Sequence, residues 1–355
     1  MKICFIIHDV TLRAGTERAQ ANLANALAAH GENISIWSCY GREKASAFPL
    51  RSDVLVKHGI RKRLRLFLDY PWLMCSFAAY VVRSRPDWIV CTDTNRLIVA
   101  LLAVFVPGVR LAVWEHYAIS HSISKTRGKV ARRLAAIFAS LTVTLTKRDA
   151  ELFAEIYSPS GPVTTIPNIV SPPAIEIVPR RQEVLAVGRL TPQKGFDLLL
   201  AAWADASKRL RGWNLRIVGD GEMRDQLLGQ IRSLDIERLV TLAPFVENPF
   251  SFYCSCGIFV LSSRFEGLPF VLIEAMTQGA PCVSFDCPNG PAELIRDRIN
   301  GMLIPPQHVQ ALADAIVELA DNPTLREKLG DAARGIADKF SERRVAASWL
   351  EALYQ

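Results

Sequence analysis

Short apolar runs rich in Val and Ile alternate along this chain with longer amphipathic stretches, the pattern of a parallel sheet covered by helices. In the first half, the runs at residues 3–7, 34–38, 88–91, 111–114 and 141–145 predict strands. The helical periodicity of 17–30, stopped by Gly31, predicts a helix. The second half restarts the pattern, with strands expected at 184–187, 215–218, 240–242, 258–261 and 281–285. Helices are expected between and after them at 196–209, 222–234, 269–278 and 308–320. Two more, 323–337 and 341–354, complete the chain, the last with Ser341 and Glu342 as start signals.

Between the halves, residues 166–179 hold four prolines and little periodicity, so they predict a linker with the boundary close to residue 175. A length of 355 residues also exceeds what one hydrophobic core usually organises. The expectation is two Rossmann-like, doubly wound α/β domains, 1–170 and 175–340, facing each other across a cleft. Domains of this kind take ligands at the carboxyl ends of their strands, which is where chemistry is to be sought.

Composition narrows the functional classes. Eight cysteines, at 4, 39, 75, 91, 254, 256, 282 and 287, show no repeated spacing and no histidine cluster beside them. They read as reduced, buried thiols of a cytosolic protein, not as a zinc site or a disulfide framework. The chain enters its first strand at residue 3 and meets polar His8 and Asp9 after five apolar residues, so no signal peptide is expected. Its longest apolar run, 97–107, has 11 residues, short of the roughly 20 needed to span a bilayer.

Charge is uneven. Residues 1–165 carry 22 Lys and Arg against 12 Asp and Glu, and residues 166–355 carry 20 against 23, so the first half is +10 and the second −3. Much of the excess lies in Lys57, Arg61, Lys62, Arg63 and Arg65 and in Lys125, Arg127, Lys129, Arg132 and Arg133. Each cluster precedes an apolar stretch, which suits either an anionic membrane surface or an ordinary solvated helix face. Neither is interleaved with aromatic residues, so nucleic acid is not expected as a partner.

Several residues fall where a strand gives way to a helix. Arg189 and Lys194 lie in the turn after strand 184–187, where two cations near a helix N-terminus suit a diphosphate. Gly15 opens the first helix, and neither it nor Gly219-Asp-Gly221 belongs to a dinucleotide or P-loop fingerprint. His116 follows strand 111–114, as a hydrogen-bonding group for a ligand or as an ordinary satisfied polar residue. Glu266 and Glu274, eight positions apart, flank a turn shaped by Gly267 and Pro269. Along a continuous helix they would lie about 12 Å apart, too far to share one metal ion and suited to two ends of a long ligand such as a nucleotide sugar. The amides of Gly267, Leu268 and Phe270 are expected to offer donors at the helix start, whereas Pro269 has none.

Taken in order, Gly188-Arg-Leu190, Lys194-Gly195, Pro244-Phe-Val246, the segment 263–275 and the tail 284–295 resemble the family-4 retaining glycosyltransferases. The likeness is strongest over about 183–305. It implies the glycosyltransferase-B fold, with a donor-binding second domain, an acceptor-binding first domain and a final helix, 341–355, packed back on the first. Glu274 then matches the glutamate on the donor ribose, Glu266 the one on the transferred hexose, and Arg189 with Lys194 the diphosphate clamp. Phe245 and Val246 match the loop at the base, His116 a histidine near the hexose O6, and Gly15 the second glycine of a Gly-Gly turn whose first position is here Ala14.

The resemblance implies transfer of a hexose or N-acetylhexosamine from a nucleotide diphosphate sugar, commonly UDP-linked, with retention of configuration. The acceptor expected is a lipid-linked, lipopolysaccharide or exopolysaccharide saccharide at the cytoplasmic membrane face. No Asp-x-Asp motif occurs, so no metal or other cofactor is expected. A nucleotide-sugar epimerase of the same fold and a non-catalytic nucleotide-sugar binder stay open on the residues alone.

Overall fold

A computed structural model of the chain describes residues 1–41, 45–60, 66–119, 126–170 and 178–355. It divides into two compact units, Met1–Ile169 with Phe340–Gln355, and Val170–Lys339. Of the proline-rich segment, residues 171–177 lie outside the described residues.

The first unit is built on seven strands: β1 (Lys2–Asp9), β2 (Asn33–Tyr40), β3 (Leu55–Ile60), β4 (Trp88–Cys91), β5 (Arg110–Glu115), β6 (Leu141–Thr144) and β7 (Val163–Thr165). Their order is β3-β2-β1-β4-β5-β6-β7, every pairing parallel, with Ile3 opposite both Ile34 and Trp88. Central strands buried on both faces explain the continuous apolar runs of the sequence. The order reverses beside β1, so its carboxyl end and that of β4 form a topological switch point.

The C-terminal helix Glu342–Tyr354 belongs to this unit, packed on the helix Gly15–Ala29. Buried Trp349 meets Trp114 of β5 edge to face at 5.0 Å, and the Leu353 carbonyl accepts from Trp88 Nε1 at 2.9 Å.

The second unit holds six parallel strands: β8 (Glu183–Val187), β9 (Asn214–Val218), β10 (Val240–Ala243), β11 (Ile258–Leu261), β12 (Cys282–Phe285) and β13 (Met302–Ile304). The order β10-β9-β8-β11-β12-β13 puts its switch point at the carboxyl ends of β8 and β11. Trp203, Phe285 and Leu312 lie in its core.

Both units are therefore Rossmann-like, doubly wound and parallel, as the alternating pattern predicts. Three strands were not predicted, β3, β7 and β13, and each is a sheet edge. The helices Leu66–Ser84, Thr126–Phe138, Lys147–Tyr157 and Phe250–Ser255 were also not predicted. The segment from Glu266 to Glu274 is not one continuous helix. Pro269, without an N–H, is the N-cap of the helix Phe270–Thr277, and Glu266 stands in the loop before it.

Candidate functional site

In the second unit, the loops that leave β8 and β11 are joined at the switch point. After β8 the chain turns through Pro192–Lys194 to Gly195, whose backbone lies in the left-handed region at φ +61°. A Cβ there would stand 2.1 Å from the Ser262 carbonyl oxygen, so only glycine allows the loops to approach this closely. Several bonds hold the contact. Ser262 Oγ donates to the Lys194 carbonyl at 3.0 Å, Gln193 Nε2 to the Phe265 carbonyl at 3.0 Å, and the Arg264 amide to the Gln193 carbonyl at 2.8 Å. Arg264 also clasps Asp197 with both arms, at 2.8 and 2.6 Å, and those bonds hold the Asp197 carboxyl below its ordinary pKa.

On this frame, Lys194 Nζ meets Glu266 Oε1 at 2.6 Å, and Ser263 Oγ donates to the same oxygen at 2.6 Å. Glu266 is buried and Lys194 half-buried. The ammonium has three donors, so pairing with Glu266 leaves two for other oxygens. Arg189, in the same loop, is exposed and has no ion-pair partner among the described residues. A third loop closes over the carboxylate loop at Gly290, where a Cβ would stand 2.2 Å from the Gly267 carbonyl oxygen.

Glu274 is buried on the helix Phe270–Thr277, and its Oε2 accepts from the Tyr253 hydroxyl at 3.1 Å. No side chain caps that helix. Among the described residues, the amides of Gly267, Leu268 and Phe270 have no protein acceptor, so the positive end of the helix presents open donors. Phe245 is 64% exposed, its amide bonded to Asp220 Oδ2 at 2.9 Å, with half-buried Val246 next to it. A ring exposed to that degree on a pinned loop is suited to stacking on a planar ligand.

In the first unit, Gly15 opens its helix beside the end of β1, and a Cβ there would meet nothing within 4 Å. Ala14 is the N-cap and brings no side-chain bond. His116 follows β5 with its ring tilted on Trp114 at 4.4 Å. Its Nε2 is buried with no protein partner among the described residues, and burial pushes its pKa down to about 4 against an opposing pull from Asp93. At neutral pH it is therefore an uncharged imidazole, a hydrogen-bonding group and not a cation.

A buried polar network stands beside His116 that the sequence does not single out. Buried Glu115 accepts from Thr94 Oγ1 at 2.7 Å, from Arg132 Nε at 2.7 Å and from the Tyr117 amide at 3.1 Å. This corrects the reading of Arg132 as part of a surface basic cluster, because its side chain is only 3% exposed and ion-paired. Lys129 and Arg133 of that cluster are exposed. Arg61, Lys62, Arg63, Arg65, Lys125, His121 and the Arg127 side chain lie outside the described residues. Asp93, paired with Arg96 at 3.1 Å, was also not singled out, and neither was Tyr253. A carboxylate or hydroxyl at a strand end was the available signal for Asp93 and Glu115; Tyr253 had none.

Among the described residues, no group of three or more His, Cys, Asp or Glu could hold a metal ion. No helix among them is long and apolar enough to cross a membrane.

Comparison with known proteins gives this geometry a family. Residues 14–169 match the model of the glycosyl transferase 4-like domain, and residues 171–336 match glycosyl transferases group 1. The amylovoran biosynthesis glycosyltransferase AmsD of Erwinia amylovora is 29% identical, the match covering 99% of each chain. An N-acetylgalactosamine-N,N'-diacetylbacillosaminyl-diphospho-undecaprenol 4-alpha-N-acetylgalactosaminyltransferase of Campylobacter jejuni is 31% identical over 46% of this chain and 46% of its own. Among solved structures, TarM of S. aureus, in complex with fondaparinux, alpha-GlcNAc-glycerol and UDP, superposes with a TM-score of 0.84 at 14% identity over the whole of both chains. With each of its two Rossmann-like units matched, the chain belongs to the family-4 glycosyltransferases, has the glycosyltransferase-B fold and is a transferase enzyme.

Proposed function

We propose that this enzyme transfers a hexose or N-acetylhexosamine, with retention of configuration, from a UDP-sugar to a lipid-linked or lipopolysaccharide saccharide at the inner face of the cytoplasmic membrane. The observation that carries the reading is the Lys194–Glu266 pair at the β8/β11 switch point, which sets a cation for a diphosphate against a carboxylate for sugar hydroxyls. The second unit, residues 175–340 in the sequence reading, is then the donor domain and the first the acceptor domain, with the C-terminal helix part of it. UDP in the TarM complex supports the nucleotide. The alpha linkage and diphospho-undecaprenol carrier in the name of the C. jejuni relative support retention and a lipid-linked acceptor, and the role of AmsD in amylovoran biosynthesis supports a polysaccharide product.

In this reading Glu274 holds the ribose hydroxyls, Phe245 and Val246 border the base, and Arg189 with Lys194 binds the diphosphate. Glu266 holds the hexose, helped by the amides of Gly267, Leu268 and Phe270; from the first unit, neutral His116 is assigned to the hexose near its O6 and the Gly15 turn to the phosphates or the acceptor. The acceptor oxygen attacks the anomeric carbon on the face the phosphate leaves. The bond to the phosphate oxygen breaks, and that oxygen takes the acceptor's proton. Arg189 and the free donors of Lys194 stabilise the charge developing on the diphosphate, where fixed donors act most strongly.

The test is transfer from UDP-, GDP- and ADP-sugars to a diphospho-undecaprenol-linked saccharide, with the new linkage read by NMR. An alpha product from an alpha-linked UDP donor is expected. A beta product, or a free epimerised nucleotide sugar formed without acceptor, overturns the reading.

A further inference from the structure

The helix Leu66–Ser84 is apolar on both sides. Leu73, Phe77 and Val81 face the core, while Trp72, Cys75, Ala79 and Val82, spaced three and four apart, form a second apolar stripe that is exposed. Trp72 is 52% exposed, unusual for so large a ring on a helix with no covering element among the described residues. This helix packs beside the segment Leu101–Phe105, whose Phe105 is 69% exposed and meets Phe138 of the helix Thr126–Phe138 at 6.1 Å. On that third element Val130, Arg133 and Ile137 share the outer face, with Lys129 beside them. The apolar surface thus runs over three neighbouring elements of one unit.

Over these three elements its charge is one-sided, while the next helix, Lys147–Tyr157, carries exposed Glu151 and Glu155 beside exposed Lys147 and Arg148. From residue 66 to 138 the carboxylates are Asp69, Asp87, Asp93 and Glu115; Asp69, Asp93 and Glu115 are buried, and Asp87 accepts from the Lys2 amide at the amino edge of the sheet. Among the described residues, exposed Arg83, Lys129 and Arg133 stand beside the apolar stripe. We propose that this face of the first unit is a docking surface for an anionic lipid bilayer, with Trp72, Phe105 and Ile137 entering the headgroup boundary and Lys129 and Arg133 on lipid phosphates. Interfacial aromatics and snorkelling cations favour that position. A second copy of the chain fits less well, because a two-fold contact through this face would set its cations against themselves. The surface rests on the proposed function only for why an enzyme would need it, to reach a lipid-linked acceptor.

Flotation of the full chain with phosphatidylcholine vesicles, with and without phosphatidylglycerol, tests it. Binding to the anionic vesicles is expected, lower at high salt. The pair Lys129→Gln and Arg133→Gln should lower the partition coefficient about 25-fold, at roughly fivefold per cation. The pair Trp72→Ser and Val82→Ser should reduce it at every salt concentration and remove the tryptophan quenching produced by brominated lipids. Thermal stabilisation by UDP, measured on the same samples, should be unchanged in all variants, which shows them folded. Failure of the wild-type chain to float, flotation of both variant pairs equal to that of the wild type, or a dimer in sedimentation that these substitutions dissolve would overturn the surface. Loss of UDP stabilisation in a wild-type chain that floats would instead overturn the function and leave the surface standing.

Discussion

Arg180 ties together the two helices that carry Tyr253 and Glu274. Its guanidinium donates to the carbonyls of Tyr253 at 3.2 Å and Cys256 at 2.9 Å, at the end of the helix Phe250–Ser255. It also donates to those of Gln278 at 2.9 Å and Gly279 at 2.6 Å, just past the helix Phe270–Thr277. Helix ends leave such carbonyls without partners, and a planar, five-donor fork can satisfy four of them at once where an ammonium cannot. Burial lowers the guanidinium's pKa from its ordinary value, the mark of a charge kept inside for its bonds.

Replacing Arg180 with Leu removes all four bonds. A bond to a charged group contributes about 1.5–3 kcal/mol. Four on one guanidinium do not add, and half-buried carbonyls regain water, so a loss of about 3 kcal/mol is expected for the second unit. For a unit of this size that is a fall in Tm of roughly 6–12 °C, readable by calorimetry. With the two helices no longer tied, the Tyr253–Glu274 bond loses its register, and UDP affinity in titration calorimetry should fall about tenfold, near 1.4 kcal/mol. Arg180→Lys should recover only part of either effect. A variant that melts within a degree of the wild type, or binds UDP as tightly, refutes the idea that Arg180 positions the ribose carboxylate.

Three other outcomes follow from the site. Replacing Glu274 with Ala should weaken UDP binding by roughly 10- to 100-fold, the range of a charged hydrogen bond, measured by calorimetry. Arg132→Ala should destabilise the first unit by about 3 kcal/mol, because it strands a buried carboxylate, while Arg133→Ala should cost nearly nothing; equal melting of the two would contradict the buried pair. His116, pushed down to about 4 by burial against an unfolded value near 6.5, binds its proton more readily in the unfolded chain. Its contribution to stability is therefore complete above about pH 6.5 and lost as pH falls toward 4, by up to about 3 kcal/mol. His116→Gln should flatten that acid limb in urea titrations, and an unchanged slope would count against the buried neutral imidazole.

What the sequence made legible follows from burial. Central strands such as β1 and β11 are buried on both faces and show as unbroken apolar runs, and amphipathic helices such as Phe196–Arg209 show their period. The edge strands β3, β7 and β13 have one neighbour each and only three to six residues, so no run marks them. The helix Leu66–Ser84 has apolar residues on both faces and Pro71 within it, which erases the period. In the site, the types and order of Glu266, Glu274, Arg189 and Lys194 could be read, but the Lys194–Glu266 contact spans 72 positions and depends on Gly195 and Ser262 bringing two loops together. Arg132 looked like its basic neighbours because charge alone does not reveal which side of a helix faces a buried carboxylate.

The central claim is that Glu266, paired with Lys194, serves the sugar and not the nucleotide. Its most direct test is the turnover of Glu266→Gln in transfer from a UDP-sugar, measured beside its Kd for UDP. A fall in kcat of roughly 100-fold, the loss of one fixed transition-state contact, with UDP affinity within about threefold of the wild type, is the predicted result. Turnover near the wild-type value, or an equal loss in UDP binding, would contradict it.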